Sequence, residues 1–521
     1  MQPNSAWLRR VLLAAMATPL LAQAYLDETV ERARRAFNVP GIAVAVVKDG
    51  KVVVAKGYGV RKLGEPDPVT PRTLFGIASN TKAFTAAALA MLVEEGKLSW
   101  DDRVVDRLPG FQMSDPYVTR EMRIRDLLCH RSGLGLGAGD LMFFPATDLS
   151  ETDIIYRLRF VPLATSFRSE YAYDNILYTV AGAVIRQASG RSWAAFIQER
   201  FFKPLAMGSS RTSIRDLHPG DDVVAPHALV DATLRPLAHE PLDNSAPAGA
   251  IVSSAEDLSK WVLALLAKGD LGNGRRLLSE KQAKVLMTPL TLEPIAEPPT
   301  PIAEAKANLA AYAMGLEVMD YRGQLKVSHI GGLQGMFSEV TMLPQQNLGV
   351  IVLTNQESGG AFWAITKTVL DHYLGAPPKD WVASYLEVQN QRRAKANETV
   401  AQAASVQNGK SSPSLPLLSY TGRYRDPWYG DVLIEPKDGQ LTIRFTHSPA
   451  LVGTLEHWQY DTFVARWRDR SLDADAYVTF SLQPDGSVRQ VRMEAISPST
   501  DFSFDFQDLV LSPVAAGVPA Y

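Results

Sequence analysis

Ser79-Asn80-Thr81-Lys82 places a hydroxyl and a primary amine three positions apart, where an apolar helical pattern begins. On a helix, side chains at that spacing share a face. A serine in the first turn lies beside unpaired backbone N–H groups and the positive end of the helix dipole, which favour an alkoxide-like nucleophile. Lys82 would sit one turn deeper, followed by Ala83, Phe84, Ala86, Ala87, Leu89, Ala90 and Leu92. An amine held among hydrocarbon is poorly solvated as an ammonium and gives up its proton more readily, so it can serve as a base. The chemistry within reach is nucleophilic attack by the hydroxyl with proton transfer to the amine. On its own, Ser-x-x-Lys more often means an ordinary N-cap serine and a solvated surface lysine, so this reading needs partners.

Two further stretches supply them. Glu170-Tyr171-Ala172-Tyr173-Asp174-Asn175 immediately precedes the helical run Leu177 to Ile185. A phenol at Tyr173 and a carboxamide at Asn175 project from one short loop; a phenolate can take a proton, and an amide can orient a bound acyl group. His329-Ile330-Gly331-Gly332 ends a predicted strand and is followed by Leu333-Gln334-Gly335. Glycines there let a substrate carbonyl approach the backbone, so the N–H of Gly332 can join that of Ser79 as an oxyanion hole. One such donor is worth ~3 kcal/mol in hydrolases. Taken singly, each stretch also reads as a polar loop, or as a glycine-rich bend beside a hydrogen-bonded histidine.

Positioning these groups requires a sheet and several helices, and 521 residues are enough for two or three domains. Leu26, Val30, Ala33 and Phe37 recur at helical spacing, with Asp27 as a candidate N-cap. Ile42 to Val47 and Val52 to Val54 follow, joined by the hairpin signal Asp49-Gly50. The Ser79 helix is expected to stop at Gly96, and helix starts are marked by Ser150 with Asp153, Ser254 with Asp257 and Ser279 with Gln282. Residues 289–305, rich in Pro and Glu, read as a surface loop. Strand character returns at Leu325 to Ser328, Met336 to Leu343 and Leu348 to Leu353, before a helix from about Ala361 to Leu374. This order predicts one antiparallel sheet assembled from both ends of the domain, flanked by the central helices.

Residues 394–416 turn polar and small and read as a linker between a domain at 25–393 and another at 417–521. The second domain is all β, with Asp438-Gly439 and Asp485-Gly486 between strand pairs, and a small barrel or sandwich is predicted. Its Trp428, Trp458 and Trp467 read as core rather than as a ligand cage. The domain is expected to narrow the cleft of its neighbour or to mediate homo-oligomerisation.

A net charge of −3 provides no field for nucleic acid or anionic membrane, and H-E-x-x-H, Walker and Rossmann patterns are absent from the sequence, so no cofactor or metal is expected. Arg9 and Arg10, the apolar run Val11 to Leu21 and Ala22-Gln23-Ala24 read as an export signal over residues 1–24. The expectation is a periplasmic or secreted protein beginning near Tyr25, without a transmembrane span; an uncleaved anchor or a surface helix is the alternative. The single cysteine, Cys129, lies in the apolar run Leu127-Leu128-Cys129 and reads as a small buried hydrophobe.

Ser-x-x-Lys at a helix start, then Tyr-x-Asn, then His-x-Gly on a late strand resemble the serine β-lactamase and penicillin-binding-protein superfamily. Within it they are similar to the subgroup of class C β-lactamases, D-aminopeptidases, DD-peptidases and esterases. Two stretches strengthen the likeness: Ile124-Arg125-Asp126-Leu127-Leu128-Cys129-His130-Arg131-Ser132-Gly133-Leu134, and Pro247-Ala248-Gly249-Ala250-Ile251-Val252-Ser253-Ser254-Ala255-Glu256-Asp257-Leu258. The resemblance spans roughly residues 25 to 375 and implies an α+β, β-lactamase/transpeptidase-like fold, with an antiparallel sheet, flanking helices and a helical subdomain. The tail, through Tyr420-Thr421-Gly422-Arg423-Tyr424 and His457-Trp458-Gln459-Tyr460-Asp461-Thr462-Phe463, is similar to the lipocalin-like β-domain of some such hydrolases.

The resemblance implies an acyl-enzyme on Ser79, with Lys82 and Tyr173 moving protons, Asn175 orienting the acyl group and the Ser79 and Gly332 amides holding the oxyanion. β-Lactamases of this type carry Lys-Thr-Gly where this chain has His329-Ile330-Gly331. A neutral histidine and an isoleucine lose the fixed charge and the hydroxyl that bind a substrate carboxylate. D-residue peptides, including peptidoglycan-derived ones, or small esters are therefore the expected substrates. The alternatives are a true β-lactamase and a non-turnover sensor of cell-wall peptide.

Overall fold

The computed structural model of the protein describes residues 24–515. The export-signal expectation falls, but for Ala24, outside that range. Residues 24–36 form the first helix, α1, and Leu26, Val30 and Ala33 are buried as their spacing predicts. Asp27 does not cap it. Its carboxylate accepts from Lys56 Nζ at 2.7 Å and Tyr58 Oη at 2.6 Å, because a charged donor across the fold is a stronger partner than a backbone amide.

Asp49 and Gly50, at φ 50° and 76°, make the tight turn whose twist matches a hairpin. It joins β1 (Gly41–Lys48) to β2 (Lys51–Gly59). The late strands are β3 (Thr291–Leu292), β4 (Ala310–Tyr312), β5 (Glu317–Tyr321), β6 (Gln324–Leu333), β7 (Met336–Leu343) and β8 (Leu348–Thr354). Their order is β2-β1-β8-β7-β6-β5-β4-β3, with Ile42 opposite Thr354 and Lys48 opposite Leu348. The sheet is thus built from both ends of the domain, as predicted. The segment 289–305 is not wholly a loop: Thr291 and Leu292 add the edge strand, and Thr300–Ala305 is a 3-10 turn.

The longer helices after α1 are α2 (Thr81–Glu94), α3 (Ile176–Ser189), α4 (Ala255–Leu266), α5 (Gly359–Leu374) and α6 (Trp381–Ser405). Strand alternation gives the sheet two apolar faces. Val44, Val46, Val350 and Val352 pack with α1, α5 and α6, while Ala43, Ala45, Ile351 and Leu353 pack toward α2 and α4. Residues Thr81 to Leu92 of α2 are buried without exception, and Phe84 stacks on Trp261 at 4.3 Å. A helix apolar on every side belongs inside a core, and this one carries Lys82 with it.

Residues 394–416, read as a linker, begin as the final turns of α6. Asp380 starts this helix by accepting from the Ala383 amide at 3.1 Å, and Trp381, Val382, Tyr385 and Val388 bury its first half. The Ala, Gln, Lys, Arg and Glu that follow are strong helix formers, so a small, polar composition continues the helix.

Beyond it lie β9 (Gly422–Asp426), β10 (Gly430–Lys437), β11 (Gln440–Phe445), β12 (Val452–Gln459), β13 (Thr462–Trp467), β14 (Ala476–Leu482), β15 (Val488–Ala495) and β16 (Ser512–Pro513). The antiparallel sheet runs β15-β14-β13-β12-β11-β10-β9-β16. The final segment pairs with β9 while Leu511 bridges Val491 of β15, which nearly closes a barrel. Trp428 and Trp467 are in its core, whereas Trp458 is half-buried beside Tyr477. Among the described residues no helix is long and apolar enough to cross a membrane.

The barrel docks directly on the first domain. Arg157 Nη1 donates to the Trp428 and Tyr429 carbonyls at 3.1 and 2.7 Å, and Gln334 Nε2 donates to the Ser471 carbonyl at 2.8 Å. Replacing Arg157 by Met keeps much of the packing volume but leaves both carbonyls without this donor. A loss of about 2–4 kcal/mol in denaturant unfolding is expected; unchanged stability would mean that Arg157 does not hold the domains together.

Candidate active site

Ser79 lies in a 3-10 turn, Ala78–Asn80, that runs straight into α2. Ala78 has φ of 48°, a left-handed conformation that disfavours an L-residue by roughly 1–2 kcal/mol. The surrounding contacts impose it. The Ile77 amide donates to the Ile251 carbonyl at 2.9 Å. The Ile77 carbonyl accepts from Ser338 Oγ at 2.8 Å, and that hydroxyl accepts from Asn80 Nδ2 at 2.8 Å. Gly331 of β6 presses on the same turn: a Cβ there would lie 2.2 Å from the Ile77 carbonyl oxygen and 2.5 Å from Ser338 Oγ. Strand β5 pairs with β6 only as far as Ser328, so His329 to Leu333 pair with β7 alone. Gly331 in that stretch lies against the Ser79 turn, and Gly332 beside it is exposed.

Lys82 is fully buried. Its Nζ donates to Asn175 Oδ1 at 2.7 Å and to the Ala248 carbonyl at 2.9 Å, and lies 2.9 Å from Ser79 Oγ. The first two partners are acceptors only. A neutral amine has two N–H bonds and one lone pair, so satisfying both carbonyls turns the lone pair toward the serine hydroxyl. Burial brings the Lys82 pKa down from its ordinary value to about 7, against the opposing pull of Asp140 and Asp174. The rings of Tyr173 and Tyr178 lie 5.0 and 5.2 Å from Nζ.

Nearby Ser79 favours the ionised form of Tyr173, but desolvation is the larger influence and pushes its phenol well above the usual tyrosine range. At rest it is a neutral phenol, able to donate; the phenolate read from the sequence is not its resting form. Asn175 also differs from expectation. Its Oδ1 serves Lys82 and its Nδ2 donates to Asp140 Oδ2 at 2.8 Å, so the carboxamide is occupied at both ends and holds the lysine. Burial raises the Asp140 carboxyl to about 8.

His329 is buried behind the site. Its Nδ1 lies 2.5 Å from the Ile330 carbonyl and its Nε2 2.7 Å from Tyr312 Oη. A carbonyl can only accept, which assigns the proton to Nδ1 and leaves Nε2 to accept from the phenol. Desolvation, with Lys82 nearby, lowers its pKa to about 3. Ile330 points to the opposite, partly exposed face of β6. Neither side chain offers charge to a substrate carboxylate. Cys129 is buried, with its thiol pushed up to about 12 by desolvation.

Ser79, Lys82, Tyr173 and Asn175 therefore meet, with Gly331 and Gly332 on the adjoining strand and His329 behind. Sequence reasoning missed four contributors. The Ala248 carbonyl lies in a stretch quoted for its resemblance, but a backbone acceptor has no residue signature. Asp140 follows a glycine-rich run with no pattern of its own. Phe502 and Ser503 come from the barrel: the Phe502 ring is 6.0 Å from that of Tyr173, edge to face, and Ser503 Oγ donates to Asp140 Oδ2 at 2.8 Å.

A family model described as Beta-lactamase matches residues 26–374, and one described as a domain of unknown function, DUF3471, matches residues 407–513. The Unguisins hydrolase ungD' of Aspergillus campestris is 28% identical over 495 residues, covering 89% of this chain and 88% of its own length. Protein flp of Staphylococcus aureus is 27% identical over 339 residues, 65% of this chain and 64% of its own. The octameric penicillin-binding protein homologue from Pyrococcus abyssi shares the fold with a TM-score of 0.61 at 22% identity, covering 92% of this chain and 98% of that one.

A base whose pKa is near 7 is neutral above that pH and protonated below it. The rate at which a fluorophosphonate labels Ser79 should rise with pH through an apparent pKa near 7. Lys82→Arg, which keeps the charge but cannot lose the proton, should slow labelling by roughly 100-fold or more. A flat profile, or full activity in the arginine variant, would remove Lys82 from the role of base.

Proposed function

The chain belongs to the β-lactamase family and is a serine hydrolase; from that premise we propose that it cleaves D-residue peptides or small esters through an acyl-enzyme on Ser79. The observation that carries the reading is the Lys82 amine, desolvated and held by two carbonyl acceptors so that its lone pair faces the Ser79 hydroxyl.

Lys82 takes the Ser79 proton as Oγ bonds to the substrate carbonyl carbon, and the carbonyl oxygen becomes an oxyanion beside the Ser79 and Gly332 amides. Collapse of that intermediate breaks the bond to the amine or alcohol. The leaving group collects its proton from Lys82 by way of the Tyr173 phenol, which gives one proton and receives another. Water then attacks the ester, passing its proton through the same pair, and Ser79 Oγ leaves with a proton restored.

Substrate preference follows from what the cleft lacks. With His329 neutral and bonded to Tyr312 and Ile330 turned away, the two donors that would grip the carboxylate of a β-lactam are missing. Losing charge-assisted bonds of this kind weakens binding by several kcal/mol. The Arg9 to Ala24 stretch supports export, which would bring the enzyme to cell-wall peptides.

Purified protein tested in parallel on D-aminoacyl amides, short-chain p-nitrophenyl esters and nitrocefin should turn over a member of the first two classes. Ser79→Ala should abolish that turnover while remaining folded. A kcat/KM for nitrocefin above ~10^6 M⁻¹s⁻¹ would instead make it a β-lactamase. A persistent adduct in the mass spectrum, with no product from any substrate, would make it a sensor.

A further inference from the structure

We propose that Asp140 and Ser503 are positioning residues for the lysine base, so that the barrel, through Ser503, completes the active site of the hydrolase domain. The inference rests on the reading of Lys82 as the group that deprotonates Ser79.

The contacts form one buried line across the domain boundary. Ser503 Oγ donates to Asp140 Oδ2 at 2.8 Å. The same oxygen accepts from Asn175 Nδ2 at 2.8 Å, and Asn175 Oδ1 accepts from Lys82 Nζ at 2.7 Å. A carboxamide is nearly symmetric in shape, and the partner on its far side decides which end it presents. Asp140 Oδ2 accepts, so it draws Nδ2 and turns the Asn175 oxygen toward the lysine. With the amide reversed, an N–H would point at Nζ and compete with the Ser79 hydroxyl for its lone pair. Asp140 thereby directs the lysine toward the serine without touching either substrate or nucleophile.

One barrel segment keeps Asp140 in place. Asp505 accepts from the amides of Gly139 and Leu141, on either side of Asp140, at 2.6 and 3.1 Å. Phe502 covers Gly137, where a Cβ would lie 2.8 Å from the Phe502 carbonyl oxygen. The Ser503 amide donates to Asp501 Oδ1 at 2.9 Å, which fixes the turn that presents its hydroxyl. The 137–141 loop is therefore gripped at three points by residues that lie beyond β15. Asp140 Oδ1 has no hydrogen-bond partner, so Oδ2 alone anchors the carboxyl.

Asp140 is faced by Lys82 and Asp501, with Asp505 acting on it in turn. Lys82 is faced by Asp140, Asp174, His130, His329, Tyr173 and Tyr178. Because burial holds Asp140 at about 8, its carboxyl is largely protonated where Lys82 titrates, so its part in the site is to orient Asn175 rather than to supply charge.

The test uses full-length protein and the rate of Ser79 labelling by a fluorophosphonate as a function of pH, with the thermal midpoint measured alongside. Ser503→Ala should slow labelling by roughly tenfold, and Ser503→Thr, which keeps the hydroxyl, should recover most of the rate. Asp140→Leu, which removes the acceptor that orients Asn175, should slow labelling at least as much as Ser503→Ala. Unchanged rates in Ser503→Ala and Asp140→Leu, with any loss confined to the thermal midpoint, would show that the contact only fastens the domains, and would overturn the proposal. Labelling of Ser79→Ala at the wild-type rate would instead sink the parent reading.

Discussion

The site depends on a primary amine kept out of water. An ammonium in the Lys82 position would need three good acceptors, and the protein supplies two carbonyls and a hydroxyl. Desolvation makes the neutral form accessible near pH 7, although each N–H bond of an ammonium would find an acceptor here. Much of the first domain can be understood as what holds this arrangement. The all-buried α2 excludes solvent from the lysine, and the Ala248 carbonyl and Asn175 leave the lone pair one direction. The close approach of Gly331 keeps β6 against the Ser79 turn.

Legibility in the sequence followed distance along the chain. Ser79 and Lys82 are three residues apart, the first in the 3-10 turn that runs into the helix carrying the second, and their closeness could be read from spacing and from the apolar residues after them. The β1–β2 hairpin was equally plain, because Asp49-Gly50 is a local signal with a local cause. Tyr173, Asn175 and Gly331 were found because the resemblance joined motifs whose meeting no spacing could show. What Asn175 does was not legible, since an amide's role depends on which neighbour occupies each end. Ser503 lies 363 residues from Asp140, in a segment with no periodicity or motif, and only tertiary structure pairs them.

Composition misled in two places, for opposite reasons. The stretch from Ala394 looked like a linker because it is small and polar, yet its residues as far as Ser405 have high helix propensity and follow helix turns anchored by Trp381 and Tyr385. Asp27 looked like a cap because it precedes an apolar repeat, yet Lys56 and Tyr58 offer it stronger partners from β2. In both cases the winning interaction was one that a reading of neighbours could not weigh.

The way the central sheet is stitched has a bearing on how the protein is made. Strand β1 is buried along nearly its whole length and must wait for β8, with the Gly41 amide reaching Asn355 over a separation of 314 residues. Until that partner emerges from the ribosome, the nascent hairpin carries an apolar, unpaired edge of the kind that invites aggregation. High contact order slows closure further. Biogenesis of this hydrolase therefore favours a holding chaperone that shields the first fifty or so residues of the domain while the rest is translated.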